Sequence, residues 1–240
     1  MKRFISILLC SLMVIMLASC GNTVSTGQEN VTVSTAGTQI ADTATNTSSE
    51  GSENGQKSQP DEPSGSKVLV VYFSRTGEQY NVGVIDKGNT AIVADMIIEA
   101  TGADSFEILP QEDYYPYTYA ELTDVAKQEQ NDNARPVYQG EVPDLAQYDT
   151  IFIGAPVWWG DWPMICYTFF ENNADALAGK TLIPFSTHEG SGLSGFDSKL
   201  AAVLPNSSVG EGLAIRGQDA QNDQDSVRNS VNKWITGLGI

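Results

Sequence analysis

Basic residues are scarce in this chain. Thirteen Lys and Arg stand against thirty Asp and Glu, a formal charge of −17 over 240 residues. Nucleic-acid binding needs phosphate neutralisation by Lys and Arg, so that function class is excluded. The acidic balance instead favours solubility and steering toward cationic partners. Histidine is scarcer still: His188 stands alone, which argues against a zinc site. The cysteines are Cys10, Cys20 and Cys166, and only Cys166 falls in the stretch that reads as folded. Neither an intradomain disulfide nor a cysteine metal cluster is expected. The glycine motifs of nucleotide sites, GK[ST] and G-x-G-x-x-G, do not follow the first buried strand. The apolar stretch Ile5 to Leu17 is too short for a comfortable membrane span.

What is present begins with a leader. Lys2 and Arg3 form a positive start, the apolar stretch follows, and it ends in Leu17-Ala18-Ser19-Cys20-Gly21. That ending resembles the bacterial lipobox. The resemblance implies cleavage before Cys20, lipidation of its thiol, and a domain anchored at the bacterial cell membrane on the extracytoplasmic face. Residues 1–19 are then a signal peptide. Residues 20–66 are rich in Ser, Thr, Gly, Asn and Gln and nearly free of large apolar side chains. Such a segment cannot bury enough surface to offset its ordering entropy, so a disordered tether is expected. About 45 residues reach roughly 35–40 Å as a flexible coil. The folded domain is expected over 67–240.

That domain is organised around Lys67 to Thr90. The unbroken apolar run Val68 to Phe73 reads as a strand buried on both faces, as in parallel sheets. Ser74-Arg75-Thr76-Gly77 follows it, with hydroxyls and a glycine suited to wrapping an anion. At Gly88-Asn89-Thr90 a helical pattern begins, with Asn89 or Thr90 as a fitting N-cap. The helix start then aims free N–H groups at the loop's guest, and a phosphate suits it.

Further strands are expected at Ser105 to Leu109, Thr150 to Ala155, Thr181 to Ser186 and Leu213 to Ile215, with helical patterns between them and after the last. Asp161 is expected to cap the third helix, with Pro163 in its first turn. Strands alternating with helices imply an α/β doubly wound five-stranded parallel sheet. Ligands of such sheets sit beyond the carboxyl ends of the strands. Three loops leave strand ends there, and all three are rich in chemistry. The second, Pro156-Val157-Trp158-Trp159-Gly160-Asp161-Trp162, holds three tryptophans. Trp162 suits core packing, and at least one of Trp158 and Trp159 is expected to stack on a flat ligand. The third, Thr187-His188-Glu189-Gly190-Ser191-Gly192, offers backbone N–H groups and one imidazole.

A phosphate cradle, an aromatic platform and a polar glycine loop suit a ligand with a phosphate tail and a flat polar ring. Tyr72 to Gly77, Gly88-Asn89-Thr90, Pro156 to Gly160 and Pro184 to Gly192 resemble the flavodoxin family. The resemblance implies strand order 2-1-3-4-5, helices on both faces and FMN as cofactor. Phosphate contacts would fall on Ser74, Thr76, Asn89 and Thr90. Gly77 belongs to that loop, and so does Arg75, which is expected to point away from the cradle. Ring contacts would fall on Trp158, Trp159 and Gly160, beside Pro156 and Val157, with Thr187, His188, Glu189, Gly190, Ser191 and Gly192 on the other side. The phosphate turn is split by an insert, Tyr80 to Lys87, and Tyr80 is placed to reach the ligand. No motif for covalent FMN attachment is present, so the flavin is expected to be noncovalent. Acidic surroundings are expected to lower its potential. The expected function is an FMN-binding redox protein passing electrons to a protein or a small-molecule acceptor. The alternatives are a non-catalytic binding lipoprotein that lost flavin and a structural surface protein using the Trp-rich loop as a partner patch.

Overall fold

The computed structural model describes residues 67–240. The leader, Cys20 and the tether expected over 1–66 lie outside the described residues. In chain order the elements are β1 (Val68–Tyr72), β2 (Gly77–Gln79), β3 (Gly83–Ile85), α1 (Asn89–Thr101), β4 (Asp104–Glu107), β5 (Leu109–Pro110), α2 (Tyr119–Asp132), β6 (Tyr138–Gln139) and β7 (Thr150–Pro156). They continue with α3 (Met164–Asn172), α4 (Ala174–Leu177), β8 (Thr181–His188), α5 (Phe196–Val203), β9 (Ser208–Val209), β10 (Leu213–Arg216), α6 (Gly217–Asn222) and α7 (Gln224–Leu238).

The main sheet is parallel and runs β4-β1-β7-β8-β10, with β9 also on β8. This is the expected order, with the fifth place divided between β9 and β10. The division has a local cause. Pairing passes from Leu182↔Val209 to Phe185↔Leu213, three steps along β8 against four along the edge. That is a bulge. Pro184 lies within it, and a proline has no N–H to offer a neighbouring strand.

The central strands β1, β7 and β8 are buried on both faces, as their apolar runs require. Leu69, Val71, Phe73, Ile151, Ile153 and Ala155 join one core with side chains of α2, α3 and α5. Val68, Val70, Phe152, Ile183 and Phe185 join the other with α1 and α7. Two small antiparallel pairs, β2–β3 and β5–β6, lie outside the sheet. The first takes in the start of the Tyr80 to Lys87 insert: its chain turns back at Asn81, whose φ is 57°. The second draws Leu109 away from β4 to pair with Gln139.

Two expected caps are replaced. Helix α1 starts after Gly88, which has no side chain to cap with. Ser74 Oγ accepts the Ala91 N–H at 3.0 Å instead, a cap supplied by the strand-end loop. Helix α3 starts after Pro163, and Asp161 does not cap it. A hairpin turn holds Asp161 too far back, and its Oδ1 accepts from the Trp162 N–H and the Tyr167 hydroxyl.

Candidate active site

The loops leaving β7 and β8 meet the start of α1 at the carboxyl end of the sheet. They bound a cavity of about 480 Å³. Pro156, Val157, Trp158, Trp159, Thr187, His188, Glu189, Ser191 and Asn89 line one wall. Gln79, Tyr80, Tyr119, Leu122, Thr123 and Ala126 line the other.

The tryptophan loop is shaped by a two-residue turn. Trp158 and Asp161 exchange backbone hydrogen bonds of 2.9 Å each. Between them Trp159 has φ 49° and Gly160 φ 73°. Positive φ at both central positions is the type I′ pattern. It suits Gly160, but a bulky side chain there is a strained exception. Trp159 is 53% exposed, and its Nε1–H donates to the Thr123 carbonyl at 2.9 Å. Lys127 lies over its ring, 5.0 Å from the centroid. Trp158 is half-buried and meets Phe73 and Tyr115 edge to face, each at 5.3 Å. Trp162 is fully buried and stacks on Phe196 at 3.6 Å. Three neighbouring tryptophans thus have three roles.

The loop after β8 is equally determined. The Gly190 N–H donates to His188 Nδ1 at 2.9 Å, so a neutral His188 carries its proton on Nε2. Burial holds His188 below the usual imidazole range and keeps it neutral. Glu189 lines the cavity, and its carboxylate is half satisfied: Oε2 is buried without a hydrogen bond. Oε1 accepts the Gln218 N–H at 2.8 Å, and Oε2 lies 3.5 Å from Arg216. Ser191 lines the cavity, whereas Gly190 and Gly192 shape the loop at φ 126° and 63°.

The expected phosphate residues are divided. Asn89 lines the cavity, and its Oδ1 accepts from Gln221 at 2.8 Å. The Thr90 hydroxyl is buried and paired with the Thr187 hydroxyl at 2.7 Å, so it ties α1 to β8. Ser74, Arg75 and Thr76 border a second hollow of about 240 Å³, together with Asp86, Asp95 and Glu107. Arg75 pairs with Asp113 at 2.7 Å and donates to the Tyr115 carbonyl at 2.8 Å. Gly77 packs under Tyr117, where any Cβ would approach the carbonyl oxygen to 2.8 Å. Gly88 presses on Ser74 and Arg75, with no room for a Cβ.

Sequence reasoning placed Tyr80 at the cavity and missed the rest of the second wall. Tyr119, Leu122, Thr123 and Ala126 share one face of α2, at helical spacing. That pattern was visible, but its partner was not. Behind the wall, Glu129 is buried and takes hydrogen bonds from the Tyr114 and Tyr115 hydroxyls. Burial raises its carboxyl above the usual range.

A doubly wound sheet with an aromatic and polar cavity at its carboxyl edge defines an α/β protein built to hold a flat ligand. The flavodoxin family profile matches residues 67–235, and the chain belongs to that family. A candidate flavoprotein from Bacteroides uniformis ATCC 8492 is 32% identical, with a TM-score of 0.56 over 72% of this chain and 99% of its own. Another from Bacteroides eggerthii DSM 20697 is 31% identical, with a TM-score of 0.56 over 73% and 99%. A flavoprotein from Lactobacillus acidophilus NCFM, solved in complex with FMN, shares the fold at 22% identity and a TM-score of 0.52, over 68% and 99%. A search of curated proteins returned no match.

Proposed function

We propose that this chain is an FMN-binding redox protein of the flavodoxin family, held on the outer face of a bacterial membrane by lipid on Cys20. The observation that carries the flavin reading is the cavity wall built from Trp158, Trp159, Thr187, His188 and Asn89 at the carboxyl edge of the sheet. The residues fit the group. Trp158 and Trp159 offer aromatic surface to a flat ring. His188 Nε2–H is a donor for a ring heteroatom. The one carboxylate on that wall, Glu189, gives Oε1 to the Gln218 N–H, while its buried Oε2 makes no hydrogen bond and lies 3.5 Å from Arg216. The flavoprotein solved with FMN shares this fold, which supports the same choice of ligand.

The phosphate end would lie at the start of α1 beside Asn89. The first intrahelical bond there is from the Ile92 N–H to the Gly88 carbonyl at 3.1 Å, so the Asn89 and Thr90 N–H groups precede it. Such groups favour an anion. The smaller hollow suits a phosphate less: Asp86, Asp95 and Glu107 border it, and its two cations, Lys87 and Arg75, are already paired with Asp95 and Asp113.

Bound FMN supplies one- or two-electron transfer, while the protein supplies binding, orientation and electrostatics. The acceptor is a protein or a small molecule reached across the open side of the cavity. Among the described residues no helix is long and apolar enough to cross a membrane. The lipid attachment proposed at Cys20 rests on the lipobox-like ending Leu17 to Gly21. The absorbance spectrum of the purified protein, before and after adding FMN, tests the flavin reading. Flavin bands that shift and saturate at one FMN per chain are expected. A colourless protein with no spectral change on adding FMN contradicts it. For the anchor, Cys20→Ala is expected to leave the detergent phase on partitioning of cell fractions, and its retention there contradicts lipidation.

A further inference from the structure

Outside the cavity, one ammonium joins the loop after β7 to the loop after β8. Lys199, in α5, donates to the Gly160 carbonyl of the tryptophan turn and to the Ser194 carbonyl at 3.1 Å. Its Nζ also lies 3.2 Å from Asp161 Oδ1. Three oxygens from two loops meet a group that has three N–H bonds to give. The same Asp161 oxygen accepts the Trp162 N–H at 2.8 Å and the Tyr167 hydroxyl at 2.9 Å, which anchors that end of the clamp on α3. Gly160, Asp161, Ser194 and Lys199 do not line the cavity themselves.

Both ends of the clamp hold strained backbone. Trp159, just before Gly160, has φ 49°, and Ser194 has φ 57°. A non-glycine residue keeps such a conformation only where its surroundings over-determine it. The Trp159 side chain is held from α2, through Thr123 and Lys127. Its backbone turn is closed by the two Trp158–Asp161 bonds, and Lys199 ties that turn to Ser194. A surface ion pair alone is worth little. Here the lysine side chain is only 32% exposed, and two of its three acceptors are backbone carbonyls.

We propose that Lys199 is a positioning residue for the flavin ring. By holding the Gly160 and Ser194 carbonyls together, it fixes the turn that carries Trp158 and Trp159 against the loop that carries His188 and Ser191. The proposal rests on the FMN reading and adds to it a residue outside the cavity. Without the clamp the strained turns relax, only part of the population keeps the binding arrangement, and affinity falls by that fraction.

Fluorescence titration of FMN and riboflavin into purified wild type, Lys199→Met and Lys199→Arg is the test, beside near-UV circular dichroism of the flavin-free proteins. Lys199→Met keeps the side-chain length and loses the ammonium. With about one molecule in ten keeping the turn, it should bind both flavins about tenfold more weakly. Lys199→Arg keeps the charge and N–H donors and should recover most of that loss. Flavin-free Lys199→Met should also show an altered tryptophan signal, with a melting temperature only a few degrees lower. The proposal is overturned if Lys199→Met binds both flavins like wild type, whatever its melting temperature, or if Lys199→Arg binds as weakly as Lys199→Met. Weaker FMN with unchanged riboflavin also overturns it, because the lysine would then act as a distant charge on the phosphate. A wild type that binds neither flavin defeats the underlying reading. In that case the near-UV spectra decide the clamp by themselves, and an unchanged tryptophan signal in Lys199→Met denies it.

Discussion

The two walls of the cavity face the same space and are built by different means. The first follows directly from the sheet: strands end, loops turn, and Trp158, Thr187 and His188 stand where parallel strands always deliver side chains. The second depends on a hairpin and a helix finding each other, through Glu78, Tyr80 and Tyr119. The first should therefore survive changes that loosen the second. Position rather than residue type decides the role of an aromatic here, as Trp158, Trp159 and Trp162 show.

The largest expected effect separates the core under the first wall from the bridge to the second. Trp162→Ala empties a fully buried site stacked on Phe196 and should cost about 3–5 kcal/mol. Trp159→Ala removes an exposed ring and one hydrogen bond and should cost about 1 kcal/mol or less. Urea unfolding of both variants checks this, and comparable losses would break the distinction.

Next comes the tie between α1 and β8 beneath the first wall. Thr90→Val strands the buried Thr187 hydroxyl and should cost about 1–3 kcal/mol. The double change Thr90→Val with Thr187→Val should cost clearly less than the two single losses together. A thermal-denaturation double-mutant cycle reads the coupling, and strict additivity would deny the pair.

For the second wall, Glu78→Ala removes the acceptor at the start of α2. About 0.5–2 kcal/mol should be lost, as for other helix caps. Thermal denaturation checks this, and an unchanged melting temperature would contradict it.

The smallest effect is a pH dependence behind the second wall. Burial raises the Glu129 carboxyl, so the folded state holds that proton more tightly than the unfolded chain. Its contribution to stability is present below the ordinary glutamate range and is lost as pH rises through the raised value. Glu129→Gln should flatten that fall in a melting-temperature series from pH 4 to pH 7, roughly the span above an unperturbed glutamate. An unchanged slope would place the titration elsewhere.

Much of the fold was legible because buried parallel strands write themselves as short apolar runs. Val68 to Phe73 and Thr150 to Ala155 lie in the sheet as read, and the strand order followed from alternation with helices. The split edge strand was not legible, since the effect of Pro184 depends on which strand lies beside it. Helix caps were misplaced for a similar reason: Ser74 caps α1 from across a loop, while Asn89 and Thr90 turn to Gln221 and Thr187. The loops bearing the cavity were legible as chemistry at strand ends. Which side chains face the cavity was not, because Glu189 and Arg75 meet Gln218, Arg216, Asp113 and the Tyr115 carbonyl, partners distant in sequence.

The central claim is that the strand-end wall holds FMN. Isothermal titration of FMN and riboflavin into wild type and the Trp158→Ala, Trp159→Ala double variant tests it most directly. Wild type should saturate at one flavin per chain. The double variant should bind both flavins about tenfold more weakly, because the lost contacts are to the ring that they share. No saturable FMN binding by wild type, or unchanged affinity in the double variant, would contradict it.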